Sequence, residues 1–282
     1  MKKNHSNSTY FTIVIPALNE EKFLPPLLDD LVNQTFKNFK VVLVDGQSDD
    51  LTITKAKEYQ GKLDLEVISS KQRNVGFQRN LGGKKATSPW LLFIDADTRF
   101  PHYFLQGIKY HLEKSKQIDF FTCLFDIDAY SINFKPLISL MNISLQVSSY
   151  IQPFSYGSMI GVKRKIFENH RFDPSIHYCE DYLYTRSLDK AGYKFACFKD
   201  PNYQISLRRF EKDGFSAIVT SMVNSQIQLL TTGTIQKQKS YPMLGGSYYK
   251  ANSNKLNRKL ILKAKKSLKK ILNKYEKMGS NS

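Results

Sequence analysis

The sequence predicts an α/β protein built on a mostly parallel sheet, and three observations carry that expectation. Short apolar runs recur along the first hundred residues. Each run breaks abruptly into a polar loop, two of them on an aspartate. Segments of helical length separate the runs. Such alternation implies parallel strands joined by right-handed crossovers.

The elements follow in order. Ile13-Val14-Ile15 is an apolar strand that breaks into Pro16-Ala17-Leu18-Asn19-Glu20-Glu21, and a helix is expected to begin near Pro25-Pro26 and run to about Asn33. Val41-Val42-Leu43-Val44 repeats the pattern and ends in Asp45-Gly46-Gln47-Ser48-Asp49-Asp50. There Gly46 permits a tight turn, and Ser48 or Asp49 can cap the next helix. Leu65-Glu66-Val67-Ile68 is a third, shorter strand. Residues Arg73 to Gly83 read as a loop entering a helix, which leads to the strand Trp90-Leu91-Leu92-Phe93-Ile94.

That last strand runs straight into Asp95-Ala96-Asp97. A run of large apolar residues is expected to be covered on both faces, and ligands of open α/β sheets collect at the carboxyl ends of such strands. Two carboxylates at such an exit suit a hard cation, Mg²⁺ or Mn²⁺, which binds oxygen and commonly completes its shell with substrate phosphates. Taken alone, the triplet is equally an Asp-rich turn closing a strand.

Other segments agree with the first interpretation. Pro16 to Glu21, Val44 to Asp50, Gly76-Phe77-Gln78-Arg79-Asn80 and Asp95-Ala96-Asp97, in that order and spacing, resemble the family 2 glycosyltransferases with the GT-A fold. Cys179-Glu180-Asp181-Tyr182 and Ser206-Leu207-Arg208-Arg209-Phe210-Glu211 extend the match to about residues 10–230. The resemblance implies a Rossmann-like nucleotide-binding half and an acceptor half on one mostly parallel mixed sheet. It also implies transfer of a sugar from a nucleoside diphosphate donor. The domain would span residues 10–249, with 10–100 as the donor half and 101–249 as the acceptor half, between a disordered segment 1–9 and a basic tail 250–282.

Sugar transfer makes its own demands on the residues. A nucleoside diphosphate leaving group gathers negative charge, which a cation or Arg and Lys side chains must meet. Arg208 and Arg209 are candidates, because guanidinium forks match phosphate oxygens. The acceptor hydroxyl must lose a proton, and Glu180-Asp181 is the best-placed acid pair for that in the second half. The same pair at a helix start is also favoured by the helix dipole alone.

Carried over residue by residue, the resemblance makes Asp181 the base. It assigns Asp45 to the nucleobase and Glu20 to the nucleoside side of the pocket, with Pro16 and Asn19 in the same donor loop. Arg79 falls in the loop beside the base and diphosphate, Asp95 faces the ribose and Asp97 holds the metal. Many processive members carry Arg-Trp preceded by Gln where this chain has Ser206 and Arg209-Phe210. That departure points to single-sugar transfer rather than polymerisation. The apolar stretch Leu137 to Ile151, helical in its Ile138, Met141 and Leu145 spacing and followed by Phe154-Ser155-Tyr156-Gly157-Ser158, lies where acceptor contacts are expected. Core packing explains it as well as a lipid-linked acceptor does.

Two other readings stand beside this one. A sugar-1-phosphate nucleotidyltransferase shares the sheet and the metal carboxylates, but would need a Gly-rich phosphate loop after the first strand. A catalytically inactive scaffold would bind lipid or a partner, and retention of Asp97 and Asp181 counts against it.

Composition narrows the setting. The 282 residues suffice for a large core, and no apolar stretch is long enough to span a bilayer. Met1 to Thr9 lacks an apolar signal region, so a cytoplasmic protein is expected, at the inner face of the membrane if the tail binds lipid. Cys123, Cys179 and Cys197 are unpatterned, and the five histidines show no metal-ligand spacing. Of the formal charge of +17, residues 250–282 carry +10, with eleven Lys and Arg against Glu276.

Within residues 255–277, Leu256, Leu260, Ala264, Leu268, Ile271, Leu272 and Tyr275 recur at helical spacing opposite Lys259, Lys263, Lys266, Lys270 and Lys277. Leu262 and Lys274 alone sit badly on that wheel. Such a segment fits an anionic membrane surface, and equally fits a terminal helix packed on the domain or a solvated tail. With Tyr275 as its single aromatic it offers no stacking platform, so nucleic acid is not an expected partner. The sequence does not identify the sugar, the base, the acceptor or the oligomeric state.

Overall fold

The computed structural model describes residues 9–127, 134–176 and 179–208. All elements below belong to one compact unit, which the chain leaves after Ser206; Leu207 and Arg208 belong to a second. Seven strands form one sheet: β1 (Phe11–Ala17), β2 (Phe39–Asp45), β3 (Leu65–Ser69), β4 (Trp90–Ile94), β5 (Phe120–Asp126), β6 (Met159–Lys163) and β7 (Phe195–Gln204). Their order across the sheet is β3-β2-β1-β4-β6-β5-β7. All neighbours run parallel except β6, which is antiparallel to both β4 and β5. The expected mixed sheet is present, with its one reversed strand between β4 and β5.

Strand order fixes where a ligand can sit. The chain winds from β1 outward through β2 to β3, then returns to place β4 on the other side of β1. This reversal is the topological switch point, and the crevice outside the strand ends lies there. β1 pairs with β4 only from Phe11 to Val14, whereas its pairing with β2 runs on to Ala17. Pro16 tolerates that position because a strand interior paired on both sides would need the N–H it lacks. Beyond Val14 the ladder between β1 and β4 ends, which is where such a crevice is expected.

Helices cover the sheet as the periodicity predicts. Leu24–Val32 (α1) carries prolines in its first turn and buries Leu24, Leu27, Leu28 and Leu31. Thr52–Lys57 (α2) is short. Val75–Gly83 (α3) is capped by the Asn74 side chain, whose oxygen accepts from the Phe77 N–H at 2.7 Å. A Cβ on Gly82 would lie 2.4 Å from Val14 Cγ1 and 2.9 Å from Val44 Cγ2, so α3 rests directly on β1 and β2 because that residue is glycine. Phe104–Lys114 (α4), Lys135–Ile151 (α5), Arg164–Asn169 (α6) and Glu180–Lys190 (α7) complete the set. In α5, Ile138, Met141 and Leu145 are buried, as their spacing predicts. Core packing accounts for that face.

No helix among the described residues is long and apolar enough to cross a membrane. The tail 250–282, Arg209 and residues 1–8 lie outside the described residues.

Candidate active site

The carboxyl edge of β1 and β2 is laced by side chains. Asn19, at φ 57°, donates its N–H to Ser48 Oγ at 2.8 Å and accepts from the Asp49 N–H at 2.7 Å. The Glu20 N–H donates to Thr52 Oγ1 at 2.7 Å. These bonds hold the loop after β1 against the loop after β2, with Asp45 between them. Asp45 Oδ2 accepts from the Ser48 N–H at 3.0 Å, while its Oδ1 is buried without a partner. A buried carboxylate oxygen left unpaired costs roughly 1–3 kcal/mol, more when charged, so its retention at a crevice marks a place where a ligand donor would be welcome.

The expected capping of α2 by Ser48 or Asp49 does not occur. Ser48 is turned to Asn19, Asp49 pairs with Arg73 at 2.7 Å, and the Thr52 N–H at the start of α2 is met by Asp50 Oδ1 at 3.0 Å. The loop residues serve the β1 edge before they serve the helix.

At the exit of β4, Asp95 is held by its backbone as well as its side chain. Its N–H donates to Ser158 O at 3.2 Å, and its carbonyl accepts from Thr98 Oγ1 at 2.8 Å. Asp97 stands two residues on, partly exposed. No cluster of three or more His, Cys, Asp or Glu that could hold a metal occurs among the described residues. Two carboxylates fit a hard cation that takes its remaining oxygens from a diphosphate and water, and do not fit an all-protein cage.

Arg79 differs most from its expected place. It lies on α3 rather than in a loop, and only 1% of its side chain is exposed. Nη1 donates to Glu180 Oε1 at 2.9 Å; Nη2 donates to Asp95 Oδ1 at 3.0 Å and to the Gly157 carbonyl at 2.9 Å. Its flat face lies 5.2 Å from the Phe172 ring. Its neighbours on α3 work the same way. Gln78 donates to the carbonyls of Ala17 at 3.0 Å and Val44 at 2.8 Å, and Asn80 exchanges two bonds with the Phe172 backbone at 2.7 and 3.0 Å.

Glu180 and Asp181 open α7, after Cys179 in a left-handed turn at φ 56°. The acids are favoured in the first turn by the helix dipole, yet their surroundings oppose ionisation. Burial, then the neighbouring Glu180, push the Asp181 carboxyl up to about 7, while Arg79 works against the rise. Burial likewise raises Asp95 to about 6, opposed by Arg79 and reinforced by Asp97 and Glu180. For Arg79, burial favours loss of the proton, but Asp95, Glu180 and Asp181 outweigh it and hold the guanidinium above its ordinary range. One buried cation therefore faces three carboxylates.

The structure thus brings Asp95, Glu180, Asp181 and Arg79 together, and sets Asp45, Asn19, Glu20 and Pro16 along the neighbouring strand ends. Arg208 belongs to the second unit and Arg209 lies outside the described residues, so neither is placed against the site. The sequence places Gly157 only within a stretch expected to make acceptor contacts, with no role beside the acids. A Cβ there would lie 2.9 Å from Asp181 Oδ2 and 3.1 Å from Arg79 Nη2. The available signal was a glycine just before a short apolar strand, where close approach is common.

The glycosyl transferase family 2 model matches residues 12–171, more than half of the chain. The chain belongs to glycosyl transferase family 2. Among curated relatives, the poly(ribitol-phosphate) β-N-acetylglucosaminyltransferase TarS of Staphylococcus aureus is 35% identical over 91 residues, 31% of this chain and 16% of that protein. The PGL/p-HBAD biosynthesis glycosyltransferase of Mycobacterium tuberculosis is 39% identical over 89 residues, 31% of this chain and 35% of that protein. The matches thus span between about a sixth and about a third of the length of these relatives. In structure, residues 1–349 of TarS with UDP align at TM-score 0.56 and 21% identity, covering 72% of this chain and 62% of that one. The mannosyltransferase PcManGT of Pyrobaculum calidifontis, in complex with GDP-Man and Mn²⁺, aligns at 0.66 and 19%, covering 86% and 68%. The family 2 chain has the GT-A fold expected of it.

Proposed function

We propose that this chain is an inverting, metal-dependent glycosyltransferase that moves one sugar from a nucleoside diphosphate donor to a hydroxyl on a lipid-linked or cell-envelope glycan acceptor. One observation supports it: Asp95 at the β4 exit and Glu180 opening α7, 85 residues apart in sequence, are joined through the Arg79 guanidinium, in a sheet whose β2 end carries an unpartnered Asp45 oxygen. The relatives supply the setting. One acts on poly(ribitol phosphate), and structural neighbours hold UDP or GDP-mannose with Mn²⁺.

In this mechanism Asp45 Oδ1 accepts from the base, Asn19 and Glu20 shape the nucleoside pocket, and Asp95 faces the ribose. Asp97, with Asp95, would hold a divalent cation, which when bound neutralises charge growing on the diphosphate. Arg208 and Arg209 are proposed as further phosphate contacts. Asp181 takes the proton of the acceptor hydroxyl as its oxygen attacks the anomeric carbon from the face opposite the leaving diphosphate, so the configuration inverts. A carboxyl raised to about 7 is a stronger base than an ordinary carboxylate and still ionised in a useful fraction at neutral pH.

Calorimetric titration of UDP and GDP, with and without Mn²⁺, tests the donor side. Wild type should bind at least one nucleotide in a Mn²⁺-dependent manner, and Asp97→Asn should lose that dependence while melting like wild type. Unchanged metal dependence in the mutant removes Asp97 from the site. A thermal-shift screen supplements it, since a ligand at a hundred times its Kd adds about 2.7 kcal/mol.

A further inference from the structure

Arg79 carries one positive charge into a buried position, and its contacts show what it can and cannot touch. Three of its N–H bonds are committed to Glu180, Asp95 and the Gly157 carbonyl, on three separate segments. Its Nε is buried without an acceptor, and Phe172 covers its face. With 1% of its side chain exposed and Phe172 over its face, this guanidinium presents almost no surface to a diphosphate. That burial argues against the direct donor contact expected of it.

The partners differ in how much they depend on it. Asp95 is also fixed through its own backbone, by Ser158 and Thr98. The Glu180 side chain, 12% exposed, is held by Arg79 and follows a left-handed residue that leaves the start of α7 without a side-chain cap. Gly157 closes the arrangement: the carbonyl that meets Arg79 belongs to the residue whose Cα faces the Asp181 carboxylate. We infer that Arg79 is a positioning residue, whose guanidinium fixes Glu180 and Gly157 and thereby aims the Asp181 carboxylate at the crevice, so that it governs turnover and not donor affinity. This rests on the glycosyl transfer proposed above.

The test compares Arg79→Lys, Glu180→Gln and the double variant with wild type, in Mn²⁺, using UDP-GlcNAc and GDP-mannose as donor probes and reading nucleotide release alongside UDP and GDP affinity. Misplacing a catalytic group by about 1 Å can cost roughly 10²-fold. Each single variant should therefore lose about 10- to 100-fold in kcat with nucleotide Kd within about threefold. The double variant should be no worse than the weaker single, because both break one link. Unchanged kcat with a raised KM would make Arg79 a donor ligand and overturn the inference, as would losses that multiply in the double variant. If Arg79→Lys does not fold, Glu180→Gln and Gly157→Ala keep the guanidinium and must show the same split. A wild type that binds neither nucleotide and releases none from either donor sinks the functional proposal itself, whereas an active wild type with unaffected variants sinks only the role of Arg79.

Discussion

Asp95, Glu180 and Asp181 share one guanidinium, and the imbalance has a consequence for stability that Asp181 exposes. Its carboxyl titrates near 3.9 in an unfolded chain and is raised to about 7 in the folded one. Between those values the folded state holds the proton that the unfolded state has released, so stability falls as pH rises through the window and is fully present only below about 4. Asp181→Asn cannot lose that proton. Its melting temperature should match wild type near pH 4 and exceed it by a growing margin up to pH 8, as differential scanning calorimetry would measure. A constant margin across that range would mean that the folded environment of Asp181 does not disfavour its charge.

The positions of Asp45 and Asp95 at strand exits were legible in the sequence, because each directly follows an apolar run. The fate of Arg79 was not. A motif places a residue along the chain but does not say which of its hydrogen-bond donors remain free for a ligand, and that depends on Glu180, 101 residues away. The close approach at Gly157 was hidden for the same reason, since only the Asp181 carboxylate and Arg79 beside it show why a side chain is excluded.

At the scale of elements, α3 does more than cover the sheet. Successive helical residues are turned by about 100°, so Gln78, Arg79 and Asn80 cannot share one face. They reach the β1 and β2 ends, the Asp95–Glu180–Gly157 group and the Phe172 segment respectively. That works because Gly82 lets the helix axis lie close to Val14 and Val44. Gly82→Ala should destabilise the fold by about 1–3 kcal/mol, as overpacking of a tight core does. Urea unfolding would measure it, and an unchanged midpoint would show that α3 can lift off the strands without loss. The first four strands, β1 to β4, and the α3 helix were predicted within a few residues, since their segments follow the alternating pattern; β5, β6 and β7 were not read. The place of β6 was not legible, because the five residues Met159–Lys163 carry no signal of which strands they will separate.

At the scale of the molecule, charge is distributed unevenly. Residues 250–282 carry +10 of the +17, on a pattern that segregates Lys from Leu. We propose that this segment binds anionic lipid and brings the enzyme to its acceptor. Each Lys near such a surface contributes on the order of 1 kcal/mol, and that attraction weakens as added salt shortens the Debye length from about 10 Å at 0.1 M to about 3 Å at 1 M. Co-sedimentation should show binding to anionic but not neutral vesicles, lost in high salt and lost on deleting the segment, with donor hydrolysis preserved. Indifference to anionic vesicles, or unfolding on deletion, would place the segment within the globular body.

Central to all three scales is the claim that the acid pair on α7 completes a transfer site whose donor half lies at the β1, β2 and β4 ends. The most direct measurement is nucleotide release from a donor by wild type and Asp181→Asn, with nucleotide affinity measured on the same samples. Loss of a general base predicts release lowered by roughly 10²-fold or more while affinity stays within a few fold. Equal losses in binding and turnover, or full activity in the mutant, would contradict it.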